Sequence, residues 1–188
     1  MEKIFCVVGK SSSGKDTLVS IVSEELQMPI ATSFTTRPKR EGEIEGREYH
    51  FITEEEFMQK EARDKIAECT SYKVADNLTW WYGLTREELE KGEYTIVIVN
   101  PDGLEQLTDL YGDKIVSILV ECDGLERLER SIKRDKTANP KEICRRFLQD
   151  EVDFETIECD YVVYNENKMG KEVVLQMKKI IMEEMKVK

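Results

Sequence analysis

The segment GKSSSGKDT, at residues 9–17, constrains the fold of this chain more than any other part of its sequence. It follows an apolar run at residues 4–8 and overlaps a helical periodicity at residues 15–27, so we expect a strand, a loop and a helix in that order. In such a loop, glycines permit a tight turn whose backbone amides converge on phosphate oxygens, and the lysine bridges the terminal phosphates. Gly9, Gly14 and Lys15 fit this scheme, which predicts a nucleoside triphosphate site rather than a plain serine- and glycine-rich turn.

One position in this loop is unusual. Asp16 follows the lysine, where such loops place the Ser or Thr whose hydroxyl binds Mg²⁺. A carboxylate is also a hard oxygen ligand for that cation, but it brings a full negative charge close to the phosphates. Thr17 still supplies a hydroxyl next to it. The sequence therefore predicts a Mg²⁺ site with Asp16 and Thr17 as protein ligands.

Short apolar runs alternate with amphipathic segments along most of the chain. Unbroken apolar runs of strand length are typical of parallel strands, because helices cover both faces of such a sheet. The alternation predicts an α/β fold with a phosphate-loop core, in which helices flank a parallel sheet through right-handed crossovers. The predicted strands are residues 4–8, 95–99, 115–120 and 161–164, and the predicted helices are residues 15–27, 104–111, 125–134, 141–158 and 171–185.

Residues 33–92 interrupt this alternation. The runs EYHFI, KIAECTSYKV and LTWWYGL read as short strands, so we expect a small mixed β subdomain inserted between core residues 1–32 and 93–188. Trp80 and Trp81 are interpreted as packing residues of this subdomain rather than as a surface that stacks a base. The local signals within it are a turn at Asp76-Asn77 and two capping boxes, Thr53 with Glu56 and Thr85 with Glu88.

Length and charge limit the classes of function. A chain of 188 residues suits one globular domain, and its net charge of −11 disfavours binding to a nucleic acid polymer or an anionic membrane. No apolar run approaches the ~20 residues needed to span a bilayer. The five cysteines show no metal-binding spacing, which indicates reduced thiols that act as small core residues in a cytoplasmic protein.

A second candidate site lies in the segment SFTTRPKREGEIEGREYHF, which starts at Ser33. Arg37 and Arg40 are three residues apart, and Tyr49 follows them. Planar guanidinium groups together with a phenol suit the capture of a monophosphate, because arginine binds phosphate oxygens in a bidentate manner. The alternative interpretation is a solvated basic loop in an acidic protein.

This segment resembles the substrate loop of the guanylate kinase family, which reads SxTTRxxRxGExxGxxYxF. The similarity continues over nearly the whole chain, through the acid Glu68, the pair Tyr82 and Gly83, the arginines of RSIKRDKT and RRF, and Asn165 after the last predicted strand. The motif is long and specific. Its matching positions are Ser33, Thr35, Thr36, Arg37, Arg40, Gly42, Glu43, Gly46, Tyr49 and Phe51.

The resemblance implies a kinase that transfers a phosphoryl group from ATP, bound with Mg²⁺, to GMP. It implies a mobile GMP-binding subdomain and a short lid near residues 130–146, in a monomer or a homodimer. The implied ATP-binding residues are Gly9, Lys10, Ser11, Ser12, Ser13, Gly14, Lys15, Asp16, Thr17 and Asn165. The implied acceptor-binding residues are Ser33, Arg37, Arg40, Tyr49, Glu68, Tyr82 and Asn100, and the implied catalytic residues are Lys15, Arg130, Arg134 and Arg146.

The chain departs from the family pattern beside this site. The family has a DxD-like element after its central strand, where this chain has Ile98 and Asn100. One carboxylate near the metal is therefore absent, and an acid on the guanine side has become an amide that can donate as well as accept. We hypothesise that Asp16 restores the metal-directed charge that Ile98 does not supply. Leu84 also stands where the family prefers Ser or Thr.

Three functions follow from these observations. The first is a GMP kinase, which the phosphate loop, the substrate arginines and Glu68 favour together. The second is a related kinase for another phosphorylated acceptor, such as a different nucleotide or a ribose phosphate, which Asn100 and Leu84 keep open. The third is a non-catalytic module that binds proteins, but such modules typically lose the phosphate loop, which is intact here.

Overall fold

A computed structural model describes residues 1–40, 42–73, 78–134, 140–166 and 170–186. The strands are β1 Lys3–Val8, β2 Ile30–Ala31, β3 Phe34–Thr35, β4 His50–Phe51, β5 Ile66–Lys73, β6 Thr79–Thr85, β7 Tyr94–Ile98, β8 Ile115–Glu121 and β9 Tyr161–Tyr164. The helices are α1 Lys15–Leu26, α2 Glu54–Ala62, α3 Arg86–Leu89, α4 Pro101–Tyr111, α5 Gly124–Arg134, α6 Pro140–Asp153 and α7 Lys171–Glu184.

A five-stranded parallel sheet forms the core, with the strand order β2-β7-β1-β8-β9. On one face, α1 and α7 contribute Leu18, Val22 and Met177 to the buried cluster around β1. On the other face, Leu104 and Leu107 of α4 pack against alternate residues of the same strands. Because apolar side chains are buried on both faces, the strands read as unbroken apolar runs. The predicted α/β fold with a helix-flanked parallel sheet is confirmed.

A second, mixed sheet has the order β4-β3-β6-β5. The pair β3 and β4 is parallel, whereas β6 runs antiparallel to both of its neighbours. Its aromatic packing is centred on Phe57, which is fully buried on α2, stacks on Trp81 at 4.7 Å between ring centroids and lies 5.8 Å from Phe34. This sheet matches the expected mixed β insertion, and Trp81 packs it as expected. The domain boundaries at residues 33 and 92 and the lid near residues 130–146 stay predictions.

Three local expectations need comment. The helix predicted over residues 141–158 ends at Asp153, because the chain turns there and lays Phe154 and Ile157 against the core cluster beside α4. The capping box of Thr53 and Glu56 has both of its hydrogen bonds. The expected turn at residues 76 and 77 lies outside the described residues.

The second capping box is only half formed. The Thr85 hydroxyl accepts a hydrogen bond from the Glu88 amide at 3.2 Å, as expected for a helix start. The Glu88 carboxylate does not return to the Thr85 amide, because it accepts from the Thr32 amide at 2.8 Å and from Lys91 at 2.7 Å. Thr32 is 56 residues away along the chain, so a tertiary contact replaces the local one.

Two other expectations concern cysteines and membranes. All five cysteines are free thiols, but Cys144 is exposed on α6, so the expectation that every cysteine is a core residue is wrong. Cys6 and Cys122 are buried. Among the described residues, none of the helices has the length and apolar character required to cross a membrane.

Candidate active site

The phosphate loop follows β1, near the middle of the parallel sheet, and leads directly into α1. Its backbone uses the left-handed region twice, at Gly14 (φ 88°) and at Ser12 (φ 62°). Gly9 packs so tightly that a Cβ there would lie 2.7 Å from the carbonyl oxygen of Val120 on β8. Gly14 is therefore required by the backbone conformation of the loop, and Gly9 is required because there is no space for a side chain.

Two carbonyl groups of the loop accept hydrogen bonds from side chains that lie outside the loop. Arg130 donates to the carbonyl oxygens of Ser12 at 3.4 Å and Ser13 at 3.1 Å, and Asn165 Nδ2 donates to that of Ser13 at 2.6 Å. Because a peptide unit is planar and trans, fixing the Ser13 carbonyl also fixes the Gly14 N–H in the opposite direction. Arg130 and Asn165 thus orient the loop amides, which is a different task from touching the phosphates themselves.

The first half of the loop makes contacts that the sequence pattern does not reveal. Lys10 Nζ is 2.7 Å from a carboxylate oxygen of Glu151, and the Ser11 amide donates to Asp150 at 2.7 Å. Both acids lie on α6, and Arg127 of α5 binds them from behind. Lys10 and Ser11, expected to bind ATP, are engaged with protein side chains in this structure. The sequence patterns did not identify Arg127, Asp150 and Glu151, since no local motif marks residues more than a hundred positions away.

The residues expected to bind the metal begin α1. Asp16 and Thr17 are exposed, and Asp16 lies 3.9 Å from the Lys15 ammonium. An exposed carboxylate and hydroxyl next to a phosphate loop are hard oxygen donors of the kind that Mg²⁺ prefers. The described residues contain no group of three or more His, Cys, Asp and Glu side chains able to hold a metal on their own. The donor set therefore suits a cation that is held mainly by phosphate oxygens and water.

On the mixed sheet, Arg37 is 4% exposed and is the best-anchored cation of the substrate loop. Its two terminal nitrogens bind the Glu43 carboxylate at 2.7 and 3.0 Å, and the hydrogen bond from Arg37 lowers the pKa of Glu43. The Arg37 guanidinium also lies 5.5 Å from the ring centroid of Tyr49. Arg40 is exposed, and its backbone amide donates to the same carboxylate at 2.7 Å. Glu43 thus holds the two arginines close together.

Three tyrosine rings line the sheet beside Arg37. Tyr82 is in edge-to-face contact with Tyr49 at 5.7 Å and with Tyr72 at 5.5 Å between ring centroids. The pKa of Tyr49 is raised to about 12, mainly by burial and to a smaller extent by the nearby Tyr82 and the charge of Asp16. The start of α1 therefore lies within electrostatic range of this tyrosine on the substrate side.

Glu68 is a buried acid on β5 at this site, with 6% of its surface exposed. Burial raises the pKa of its carboxyl group to about 7. One of its oxygens lies 3.1 Å from where a Cβ would stand on Gly103, so it abuts the first turn of α4. No described residue donates a hydrogen bond to it. A buried carboxylate without a donor is costly unless a ligand supplies one.

Asn100 caps α4 beside Glu68. Its carbonyl oxygen accepts from the Gly103 amide at 2.8 Å, and its amide nitrogen donates to the Tyr72 hydroxyl at 3.2 Å and weakly to Thr70 at 3.5 Å. A structural role as the helix cap therefore occupies the oxygen that was expected to contact a base. Ser33 is half-buried at the start of β3, where its backbone oxygen accepts from the His50 amide.

The three lid arginines differ in position. Arg130 contacts the phosphate loop, as described above. Arg134 ends α5 and is exposed, and Arg146 on α6 donates to Glu142 at 2.8 Å. The described contacts therefore bring Arg130 to the loop but not Arg134 or Arg146. The part of the expected lid at residues 135–139 lies outside the described residues.

Comparisons with known proteins show which family this chain is similar to. A family model described as guanylate kinase matches residues 1–184. The guanylate kinase of Paraburkholderia xenovorans is 31% identical over 170 residues, which cover 87% of this chain and 73% of the relative. That of Symbiobacterium thermophilum is 31% identical over 187 residues, which cover 96% of this chain and 85% of the relative. The crystal structure of guanylate kinase from Anaplasma phagocytophilum matches the fold with a TM-score of 0.70 at 23% identity, covering 97% of this chain and 86% of that one.

Proposed function

This chain belongs to the guanylate kinase family of ATP-dependent nucleoside monophosphate kinases, and on that premise we propose that it transfers the γ-phosphate of ATP to GMP. The observation that carries GMP as acceptor is the buried Glu68 carboxylate, which no described residue supplies with a donor. Guanine presents two adjacent donors, N1–H and the 2-amino group, to such a carboxylate, whereas adenine does not. A site built around a buried acceptor discriminates strongly against a base that leaves it unpaired.

On the donor side, the triphosphate of ATP lies along residues 9–17. The Gly14 amide, oriented by Arg130 and Asn165 through the Ser13 carbonyl, is directed at the phosphate oxygens, and Lys15 neutralises charge at the terminal phosphates. Mg²⁺ would supply positive charge that offsets the negative charge of the phosphates. Asp16 and Thr17 are the residues that would hold it. We propose that Asp16 supplies the anionic ligand that Ile98 does not provide.

On the acceptor side, Arg37, Arg40, Tyr49 and Tyr82 hold the phosphate of GMP, while Ser33 and Glu68 contact guanine. An oxygen of that phosphate attacks the γ-phosphorus in line, the bond to the β–γ bridging oxygen breaks, and ADP and GDP result. Catalysis is then mainly alignment plus neutralisation of the charge spread over the transferred group. Since Arg37 is already fixed by Glu43, little ordering remains to be done when the acceptor binds.

The lid, at residues 130–146, completes the site in this proposal. Arg134 and Arg146 do not reach the phosphate loop in the described contacts, so they require an inward movement to touch the transferred phosphate. Closure would also exclude water, which otherwise competes as an acceptor. We expect a smaller radius of gyration in solution scattering when a bisubstrate analogue binds. An unchanged scattering profile would remove this part of the proposal.

A second candidate function is phosphorylation of a different phosphorylated acceptor. The observation that favours it is the geometry of Asn100, whose oxygen caps α4 and whose amide nitrogen faces Thr70 and Tyr72. Glu68 and Ser33 are then left to select guanine. A non-catalytic protein-binding role has no comparable support, because the phosphate loop keeps its glycines and its lysine.

A coupled ADP-release assay with ATP, Mg²⁺ and a panel of acceptors tests the proposal. The panel contains GMP, dGMP, AMP, CMP, UMP and ribose phosphates, and the Lys15→Ala variant is the inactive control. We expect the largest kcat/KM with GMP and about a thousandfold loss of kcat in the variant. A larger kcat/KM with any non-guanine acceptor would support the second candidate, and no turnover with any acceptor would contradict both kinases. The cytoplasmic location and the monomeric or homodimeric state stay predictions.

A further inference from the structure

Four charged side chains form a cluster behind the first half of the phosphate loop. Lys10 belongs to the loop, Arg127 to α5, and Asp150 and Glu151 to the end of α6. Glu151 lies between the two cations, at 2.7 Å from Lys10 and 2.6 Å from Arg127. Asp150 accepts from the Ser11 amide at 2.7 Å and from its hydroxyl at 3.2 Å. The cluster therefore joins α6 directly to the loop backbone.

Arg127 is the buried member of this cluster. It is 2% exposed, and its guanidinium lies 4.7 Å from the ring centroid of Phe147, between α5 and α6. It is 2.6 Å from Glu151 and 3.5 Å from Asp150. A buried guanidinium persists only when carboxylates and packing offset its lost hydration, so these contacts fix its position.

The charges of the cluster matter because of what the loop binds. Two carboxylates close to a triphosphate site repel the ligand unless cations neutralise them. Lys10 and Arg127 balance Asp150 and Glu151, and the hydrogen bond from Lys10, followed by that from Arg127, lowers the pKa of Glu151. With both cations present, the cluster is neutral and can hold the loop without opposing an anion.

We infer that Arg127 is a positioning residue for the donor nucleotide: it holds Asp150 and Glu151 against Ser11 and Lys10 and cancels their negative charge next to the phosphate loop. This inference rests on the proposed use of ATP as donor, but not on the identity of the acceptor. It also explains how Ser12 keeps its left-handed backbone (φ 62°), which is unfavourable in a residue other than glycine. The neighbouring Ser11 is fixed by Asp150, and the Ser12 and Ser13 carbonyls by Arg130.

The test measures binding of ATP and of GMP separately by calorimetry, without turnover. We expect Arg127→Met to weaken ATP binding about fivefold at ~0.05 M salt and less at ~0.5 M salt, because an uncompensated charge then faces the triphosphate. GMP binding is expected to stay within about twofold, because the cluster lies on the donor side. Arg127→Lys, which keeps the charge, is expected to lie between Arg127→Met and the unaltered protein.

A charge-matched pair separates electrostatics from packing. Glu151→Gln keeps an oxygen that can accept from Lys10 while it removes one negative charge. We expect this variant to bind ATP at least as tightly as the unaltered protein, and we expect the double variant Arg127→Met/Glu151→Gln to recover most of the lost affinity. If Arg127→Met does not fold, Glu151→Gln still tests the inference, because Glu151 is half-exposed and its substitution should not disturb folding. Weaker ATP binding in Glu151→Gln would overturn the inference.

Two other results would overturn the inference. One is an Arg127→Met variant that binds ATP as the unaltered protein does. The other is an equal loss of ATP and GMP affinity with no recovery in the double variant, which is the signature of a merely structural residue. Failure of the proposed GMP kinase activity would be distinguishable, since it would appear as absent turnover with GMP while ATP binding still responded to Arg127.

Discussion

The donor side and the acceptor side of the proposed site are built in different ways. The donor side is formed mainly by the backbone of a nine-residue loop. Glycines, the close approach of β8 and side chains that donate to its carbonyl oxygens fix the conformation of this loop. The acceptor side is a side-chain structure, in which Arg37, Tyr49, Glu68 and Tyr82 project from different strands and loops of a sheet that contains two-residue strands.

This difference bears on how each side recognises its ligand. Backbone amides offer one kind of donor to any phosphate, so the loop binds a triphosphate and contributes little to the choice of base. The acceptor side combines a paired guanidinium with a buried carboxylate that no described residue supplies with a donor, so we expect it to select both the phosphate and the base. Changes on the acceptor side should consequently alter specificity, whereas changes behind the loop should alter donor affinity.

Among the variants that distinguish the two sides, Arg37→Met is expected to have the largest effect on substrate KM. This change removes the acceptor guanidinium and leaves the half-buried Glu43 carboxylate without its ion pair, facing the same phosphate. Truncation of one partner of a desolvated ion pair predicts a rise of about a hundredfold in KM for GMP. KM for ATP should change by about twofold at most, because the donor side does not include this side chain. Steady-state kinetics with each substrate varied in turn measures both values.

Arg47→Met is the matched control for that variant. Arg47 lies on the same loop, and its side chain is 61% exposed and paired with Glu48. An exposed pair of this kind contributes little, so the control should behave like the unaltered protein. A comparable rise in KM for ATP in Arg37→Met would break the comparison, since the two sides would then not act separately.

A smaller effect is expected from Glu68→Gln, and it depends on pH. The ionised carboxylate accepts two hydrogen bonds from guanine, so the variant should lose about thirtyfold in kcat/KM for GMP at pH ~8. The pKa of Glu68 is about 7, so at pH ~6 most of the free enzyme carries the protonated acid. The difference in kcat/KM between the unaltered protein and Glu68→Gln should therefore be smaller at low pH. A difference in kcat/KM that stays constant across this pH range would contradict the role of the ionised acid.

The same group makes a signed contribution to stability. Its pKa is raised from 4.5 to about 7 on folding, so the folded state binds more protons between these values and stability falls as pH rises through that window. The full cost, about 3 kcal/mol, is reached above the folded pKa. Urea unfolding of the unaltered protein and of Glu68→Gln should diverge over this range, with the variant becoming relatively more stable as pH rises. Parallel stability profiles would show that the acid is already paired.

The smallest effect is expected from Asp16→Ala on the donor side. If the carboxylate is a ligand of the cation, the variant should need about tenfold more Mg²⁺ for half-maximal rate, with a much smaller change in KM for ATP measured at saturating Mg²⁺. Asp102→Ala is the matched control, because Asp102 is an exposed aspartate in the first turn of another helix, α4. Equal shifts in the requirements for Mg²⁺ and for ATP would remove Asp16 from the metal site.

Sequence patterns predicted the donor side better than the acceptor side, and the comparison above explains why. The loop, its strand and its helix are contiguous, so β1 and α1 are found within one residue of the expected limits. The strands β7, β8 and β9 also begin and end within one residue of expectation, because burial on both faces makes their sequences uniformly apolar. The strands β5 and β6 match the predicted runs KIAECTSYKV and LTWWYGL within one residue at each end.

Contacts between distant segments were not predictable in this way. The strand β3 has two residues, too few for any periodicity, whereas β4 lies within the predicted run EYHFI. The residue at which α6 ends and the hydrogen-bond partner of the Glu88 carboxylate are set by tertiary contacts. These contacts override the local sequence pattern. The cluster of Lys10, Arg127 and Glu151 joins the loop to helices that begin more than a hundred residues later, and charged residues on a helix ordinarily read as a solvated face.

The most direct test of the convergence of the two sides is a crystal structure with a bisubstrate analogue, in which adenosine and guanosine are joined through five phosphates. We expect the adenosine end to follow the loop at residues 9–17, and the guanine edge to lie within hydrogen-bonding distance of Glu68. The phosphate chain should pass between Lys15 and Arg37. A complex in which the guanosine end lies away from the mixed sheet, with Arg37 still paired only to Glu43 and remote from the phosphates, would contradict this convergence.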